Sequence, residues 1–406
     1  MNQELLRIVD NIARDKNIDK ESIFVDLEEA MISAARKHFS EPEGNVKVSI
    51  DRTTGQISAF RNDVQIDIKQ LGRIPAQTAK QVIIQKLRAD ERSSIFAEFA
   101  QRKGEIISGS VVRYESGTLI VTLDRWTEGF MPKGEQIMGQ THRVGERIRC
   151  LILDVKETAN QVKIILSRTH PDFIRRLFEL EVPEISEKII EIRALAREAG
   201  YRTKVAVASF DEKVDPVGAC VGVRGSRIKN IVDELGGEKI DIVRWNESSQ
   251  VLVSNALMPA KVSEIALCFE LGRATVVVDE DQLSLAIGKH GQNVRLAARL
   301  TGWDIDILTP DEYNQGIEVL SGCVKTVEGA GEAVIDKLIA LGVISIADME
   351  EVGVEPLVNE LKIASDVAVK LVAAAVAEAE RLAEESKQSV VEKELAQQAK
   401  TSDKEQ

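Results

Sequence analysis

The sequence predicts a multidomain α+β chain. Its parts are an N-terminal α/β unit, a small five-stranded β-barrel, a duplicated α/β module and an acidic helical module. Three observations predict this. A glycine loop that opens a helix occurs twice, each time between equivalent strands and helices. Ahead of it, short alternating apolar stretches are split by glycines, the pattern of a small all-β barrel. Finally, 406 residues exceed one ordinary domain, and the charge is uneven along them. Residues 310–406 hold 20 Asp+Glu against 9 Lys+Arg, so −11 of the chain's −13 lies there.

Residues 1–103 read as the α/β unit. Leu5, Ile8, Val9 and Ile12 share one helical face, and Ile23, Leu27, Ala30, Met31 and Ala34 share another. Val46, Val48 and Ile50 alternate as a strand that turns at Thr53-Thr54-Gly55-Gln56. Pro75 suits an early position of a long helix through Val82, Ile83 and Leu87, extending to Phe96 and Phe99.

Residues 104–170 change period. The strands 110–114, 118–123, 147–153 and 162–167 are separated by Gly117, Gly129, Gly134 and Gly145, which predicts a Greek-key barrel of the OB type. Such barrels stack bases on exposed aromatics beside cations. The candidates are Arg113 with Tyr114, Phe130 with Lys133, and His142 beside Arg143. Trp126 is either a further one or core.

The duplicated module covers residues 171–245 and 246–309. Its first loop is Gly222-Val223-Arg224-Gly225, followed by Arg227 and Lys229; its second is Gly288-Lys289-His290-Gly291, followed by Asn293. Glycine lets the chain turn tightly and approach other backbone. A helix starting behind the loop aims free amides and a partial positive charge at it, which suits phosphate. The spacing matches the G-x-x-G loop of KH domains, which holds about four nucleotides of single strand. We therefore read Gly222, Val223, Arg224, Gly225, Arg227, Lys229, Gly288, Lys289, His290, Gly291 and Asn293 as RNA-contacting. Behind the loops, Ile228, Ile231, Val232 and Leu235, then Val294, Ala297, Ala298 and Thr301, read as core stripes. A nucleotide P-loop fits poorly, because His290 stands where Ser or Thr would hold Mg²⁺.

Residues 310–322 read as a linker. Residues 323–382 read as helix-hairpin-helix-like units with breaks at Gly329, Gly331, Gly342 and Gly353, and 383–406 as a frayed helix or a disordered tail. The segment reads as a partner-docking, self-masking or solubilising element. No apolar run reaches membrane length, and no signal pattern opens the chain. Cys150, Cys220, Cys268 and Cys323 are scattered without metal-ligand spacing. The expectation is a cytoplasmic, monomeric, non-enzymatic protein without cofactor or metal.

The order of a barrel then two KH modules behind an α/β unit resembles the NusA family of bacterial transcription elongation, termination and antitermination factors. Ile74-Pro75-Ala76-Gln77-Thr78-Ala79-Lys80-Gln81-Val82-Ile83 is similar to a family segment, with Pro75 where Ala is usual. So are 166–171, 181–185, 196–207 and Val214-Asp215-Pro216-Val217-Gly218-Ala219-Cys220-Val221-Gly222. The resemblance covers about residues 1–310; residues 323–382 are similar to the acidic repeats of some members. It implies KH modules of the bacterial type (type II) and an N-terminal unit that docks on RNA polymerase. It further implies binding of single-stranded nascent RNA and of other Nus-type antitermination factors, with effects on pausing, termination and antitermination. Two departures stand out: residues 124–132 depart from the family pattern, and Asp279-Glu280-Asp281 precede the second loop. The alternative reading is an RNA-processing or ribosome-associated single-stranded RNA-binding protein.

Overall fold

The computed structural model describes residues 6–7, 9–10, 13–14, 19–39, 46–62, 64–66, 73–124, 127–158 and 161–402. It falls into two compact units, Met1–Phe173 and Ile174–Gln406. Leu5, Ile8, Ile12 and Trp126 lie outside the described residues.

In the first unit, helix α1 (Lys20–Phe39) packs on a three-stranded antiparallel sheet of β1 (Val46–Ile50), β2 (Ile57–Arg61) and β3 (Val64–Ile66). Ile23, Phe24 and Leu27 meet Val9, Ala13 and Ile50 in its core. Helix α2 (Arg73–Gln101) then runs to the barrel. The boundary expected at residue 103 is not a core boundary, because Phe99 of α2 is buried among the barrel side chains, with Ile95 and Phe96 packed against them.

The barrel is closed in the order β4 (Ile106–Glu115), β5 (Thr118–Thr122), β6 (Glu128–Met131), β8 (Val162–Ser167) and β7 (Arg147–Glu157). Parallel pairing of β6 with β8 completes the ring. Glycine is required at 109: a Cβ there would lie 2.5 Å from Val121 Cγ1 and 2.7 Å from the Thr122 carbonyl oxygen.

The second unit holds both glycine loops. Helices α3 (Pro171–Glu181) and α4 (Pro183–Ser186) lead into β9 (Ile190–Glu198) and β10 (Arg202–Ser209). Next come α5 (Pro216–Val221), the first loop, α6 (Ser226–Glu234) and β11 (Lys239–Arg244). Strand β10 lies between β9, antiparallel, and β11, parallel. The second repeat has the same plan. It runs α7 (Ser249–Leu257), β12 (Glu264–Cys268), β13 (Arg273–Val277), α8 (Glu280–Ile287), loop, α9 (Gln292–Thr301) and β14 (Asp304–Leu308). Its central β13 is antiparallel to β12 and parallel to β14.

The repeats share one hydrophobic core. Ala196, Ala206 and Val243 of the first sheet join Leu252, Leu296, Ala297 and Leu300 of the second repeat. The inward face of α9 is Asn293, Leu296, Ala297 and Leu300, so the stripe expected at Val294, Ala297, Ala298 and Thr301 is corrected by about one position. The two leucines carry more apolar surface than Val294 and Thr301, and they set the buried face.

One expectation fails at the C-terminal end. Residues 310–322 are not a linker but most of helix α10 (Pro310–Lys325). The Thr309 side chain accepts from the Glu312 amide and the Glu312 side chain bonds back, with Pro310 at the first helical position. Of the two alternatives for the tail, a frayed helix or a disordered segment, the described residues are helical. After α11 (Glu332–Ala340), α12 (Ile346–Val352) and α13 (Val354–Leu361), helix α14 runs from Ser365 to Ser402, in a sequence rich in Ala, Glu, Lys and Gln, good helix formers. The module is fastened to the second repeat. Cys268 lies in one cluster with Leu320, Leu338, Leu357 and Leu371. Arg273 Nη1 donates to Asp348 Oδ1 at 2.8 Å and Nη2 to Glu351 Oε2 at 3.0 Å. A Cβ on Gly342 would sit 2.4 Å from the Leu267 carbonyl.

Candidate nucleic-acid interface

The two loops have nearly the same backbone. Gly222 has φ 75° and ψ 173°, and Gly288 has 73° and 174°. The third loop residue is left-handed in both, Arg224 at φ 54° and His290 at φ 54°, a conformation few non-glycine residues adopt. The closing glycines, Gly225 and Gly291, are the left-handed N-caps of α6 and α9. Neither helix has a side chain capping its first turn, so amides there are available to an anion.

Around this frame the exposed cations are Arg224 and Lys229 at the first loop and Lys289, beside His290, at the second. Among the described residues, no ion pair engages Arg224, Lys229 or Lys289. Val223 is 82% exposed at the first loop's tip.

Two residues expected to touch RNA do something else. Asn293 is 2% exposed, and its Nδ2 donates to the carbonyls of Leu257 (3.0 Å), Leu285 (3.1 Å) and Ala286 (3.2 Å). Its side chain is withdrawn from the surface, which corrects its assignment. Arg227 Nη1 donates to the Ala219 carbonyl at 2.7 Å and to Glu184 Oε2 at 2.9 Å. Its guanidinium is engaged in the fold rather than presented to a phosphate. Arg227 and Asn293 each stand five residues after the loop's first glycine and satisfy end carbonyls of the helix before it, α5 or α8. A Cβ on Gly222 would meet Arg227 Cγ at 2.7 Å, and one on Gly288 would meet Asn293 Cβ at 2.8 Å. The first glycine is therefore required for packing as well as for its torsion. Sequence reasoning missed the brace, though the shared offset of five was visible.

Sequence reasoning also missed Glu198, at the end of β9 in the first repeat. Arg295 Nε donates to Glu198 Oε1 at 2.6 Å, and Gln292 Nε2 donates to Oε2 at 2.8 Å. Arg295 Nη1 also reaches the His290 carbonyl, at 3.4 Å. The Arg295 hydrogen bond holds the Glu198 carboxyl below the ordinary glutamate range. The second loop is thus tied to the first repeat.

On the barrel, Tyr114 is 46% exposed and its Oη accepts from the His142 amide at 3.0 Å. His142 Nδ1 lies 2.9 Å from Glu146 Oε1. Arg113 is bound to Glu128 at 2.9 Å and to Glu115 at 3.3 Å, and its pKa is raised chiefly by the bond to Glu128. Phe130 is half-buried and Lys133 exposed. The rings open to stacking are therefore Tyr114 and, in part, Phe130, with Lys133 as the exposed cation, while Arg113 and His142 already have acidic partners.

Comparison with known proteins follows the same division. A family model described as the NusA-like first KH domain matches residues 168–245, and one for the NusA-like second KH domain matches 249–315. A NusA N-terminal domain model matches 4–64 and 62–93. The chain is 40% identical to the transcription termination/antitermination protein NusA of Halalkalibacterium halodurans, over 78% of this chain and 90% of that one. It is 41% identical to the protein of that name from Bacillus subtilis, over 76% and 91%. For the Rickettsia conorii protein the identity is 38%, over 77% and 69%.

Proposed function

The chain belongs to the NusA family, and from that premise we propose how its parts divide the work of an RNA-binding transcription factor. The two glycine loops clamp the sugar–phosphate backbone of single-stranded nascent RNA. Loop amides, Arg224, Lys229 and Lys289 meet the phosphates, and the glycines let the strand come close. The barrel adds stacking at Tyr114 and Phe130 beside Lys133. Residues 1–103 dock on RNA polymerase, and the assembled protein alters pausing, termination and antitermination together with other Nus-type factors in the cytoplasm. It acts by binding, without catalysis, as a monomer.

The observation that carries this reading is the repetition of one uncommon loop backbone with uncapped helix starts behind it. Among the described residues no group of acids, histidines and cysteines could hold a metal ion, and no helix is long and apolar enough to cross a membrane. The test is affinity purification of the tagged full-length protein, paired with transcription on a template that carries a hairpin pause. RNA polymerase subunits should co-purify, and pause lifetime should change on adding the protein. Co-purification of ribosomal proteins in their place, with unchanged pausing, would sink the assignment.

A further inference from the structure

Phe210 is not used by either loop. It follows directly on β10, its amide donates to the Ile189 carbonyl at 2.9 Å, and it is 65% exposed. A single exposed ring is ordinary on a folded surface, and it is informative here only for the groups gathered around it. The Arg193 guanidinium carbon lies 5.5 Å from the ring centre. Beside the ring is a cavity of about 450 Å³ lined by Ile185, Ile190 and Ile192, with Arg175 and Lys188 as its cations. The acids there have cationic partners at the surface: Glu191 is 3.0 Å from Arg193, and Glu179 is 2.6 Å from Arg176. Arg175 is held in place by donating to the Ile192 carbonyl at 2.9 Å.

The cavity is linked to the first loop through the chain itself. Ile185 in its wall follows Glu184, which binds Arg227, the residue packed against Gly222. We propose that this cavity is a nucleobase subsite. A base of the strand clamped at the first loop stacks on Phe210 and Arg193, with Lys188 and Arg175 facing its flanking phosphates. The chemistry is an aromatic face beside cations, which takes any base of a single strand and no duplex. The inference rests on the loop reading above.

Fluorescence anisotropy on the full-length protein tests it with three probes. These are a 12-nucleotide single-stranded RNA, the same RNA with abasic positions, and a four-nucleotide RNA that fills a loop alone. Phe210→Ala should weaken the 12-mer about tenfold, Phe210→Trp should restore it, and neither should change the four-nucleotide or abasic probe. Arg224→Gln is the comparator. If Arg224→Gln weakens binding while Phe210→Ala does not, the subsite is overturned and the loop reading stands. If neither changes affinity, both fall. Equal loss on all three probes would mean that Phe210 acts through the fold, which also overturns the subsite. Intact RNA affinity with lost polymerase co-purification would make the cavity a protein-docking site, against the proposal.

Discussion

The backbone at Gly222, Arg224 and Gly225 has φ of 75°, 54° and 76°, and the second loop repeats it at 73°, 54° and 71°. The supports share an offset and a role but differ in chemistry and reach. At the first loop a long, partly exposed Arg227 reaches the end of α5 and a carboxylate of the same repeat, Glu184. At the second, a short Asn293 closes the end of α8 from inside the core. A second tie there runs from Gln292 and Arg295 across to Glu198 in the first repeat. One loop is supported from within its own repeat, and the other leans on its neighbour. Duplication therefore preserved the torsions and the offset of the brace but not its chemistry. A polar residue just behind a glycine loop can be part of the loop's frame and not of its ligand site.

The largest effect should come from removing the braces. Asn293→Ala takes its donor from the Leu285 and Ala286 carbonyls in a buried place, while the Leu257 carbonyl keeps the Ala260 amide; a buried group left unsatisfied costs about 1–3 kcal/mol. A loss near 3 kcal/mol is expected by thermal or denaturant unfolding. Arg227→Met leaves its carbonyl near solvent and should cost about 1 kcal/mol. If Asn293→Ala left stability unchanged and removed only RNA binding, the contrast between frame and ligand would fail.

Next in size are the exposed cations. Arg224→Gln and Lys289→Gln each remove one phosphate partner without touching the frame. Each should weaken single-stranded RNA about tenfold and make the log–log salt slope shallower by about 0.7. The Arg224 change should be the greater, because Asp279, Glu280 and Asp281 stand ahead of the second loop and oppose a phosphate there. A larger loss at Lys289 would reverse the ranking of the two loops.

Local sequence carried most of this architecture. The repeat was legible because glycine at a positive φ has few substitutes, and the barrel because alternation and glycine breaks report a two-sided strand. What stayed hidden needed partners far away in sequence. Glu198 looks like any strand-end acid until α9 is placed on β9. Asn293 looks like a ligand until its burial is known. The helix at 310–325 is a different failure, since the Thr309-Pro310-Asp311-Glu312 start signal was present and polar composition was read as a linker instead. The −11 segment reads as helix-hairpin-helix-like units, with nothing in the pattern to say what they pack on. Arg273, Gly342 and Cys268 bind it to the second repeat, a pairing of positions far apart in sequence.

The smallest effect tests the lean of the second loop on the first repeat. Glu198 has a folded pKa below the ordinary glutamate value of 4.5, held there first by the Arg295 hydrogen bond. A carboxyl lowered on folding stabilises the fold fully above its unfolded value, and that contribution is lost as pH falls through the lowered folded value. Glu198→Gln should therefore cost about 1 kcal/mol at pH 7 and flatten the acid limb of stability below about pH 4.5. It should also weaken RNA binding about twofold through the second loop only: the loss should vanish in a Lys289→Gln background and persist with Arg224→Gln. Because Gln keeps the size and one acceptor, an equal loss in both backgrounds would place the effect in the shared core. The second loop would then need no support from the first repeat.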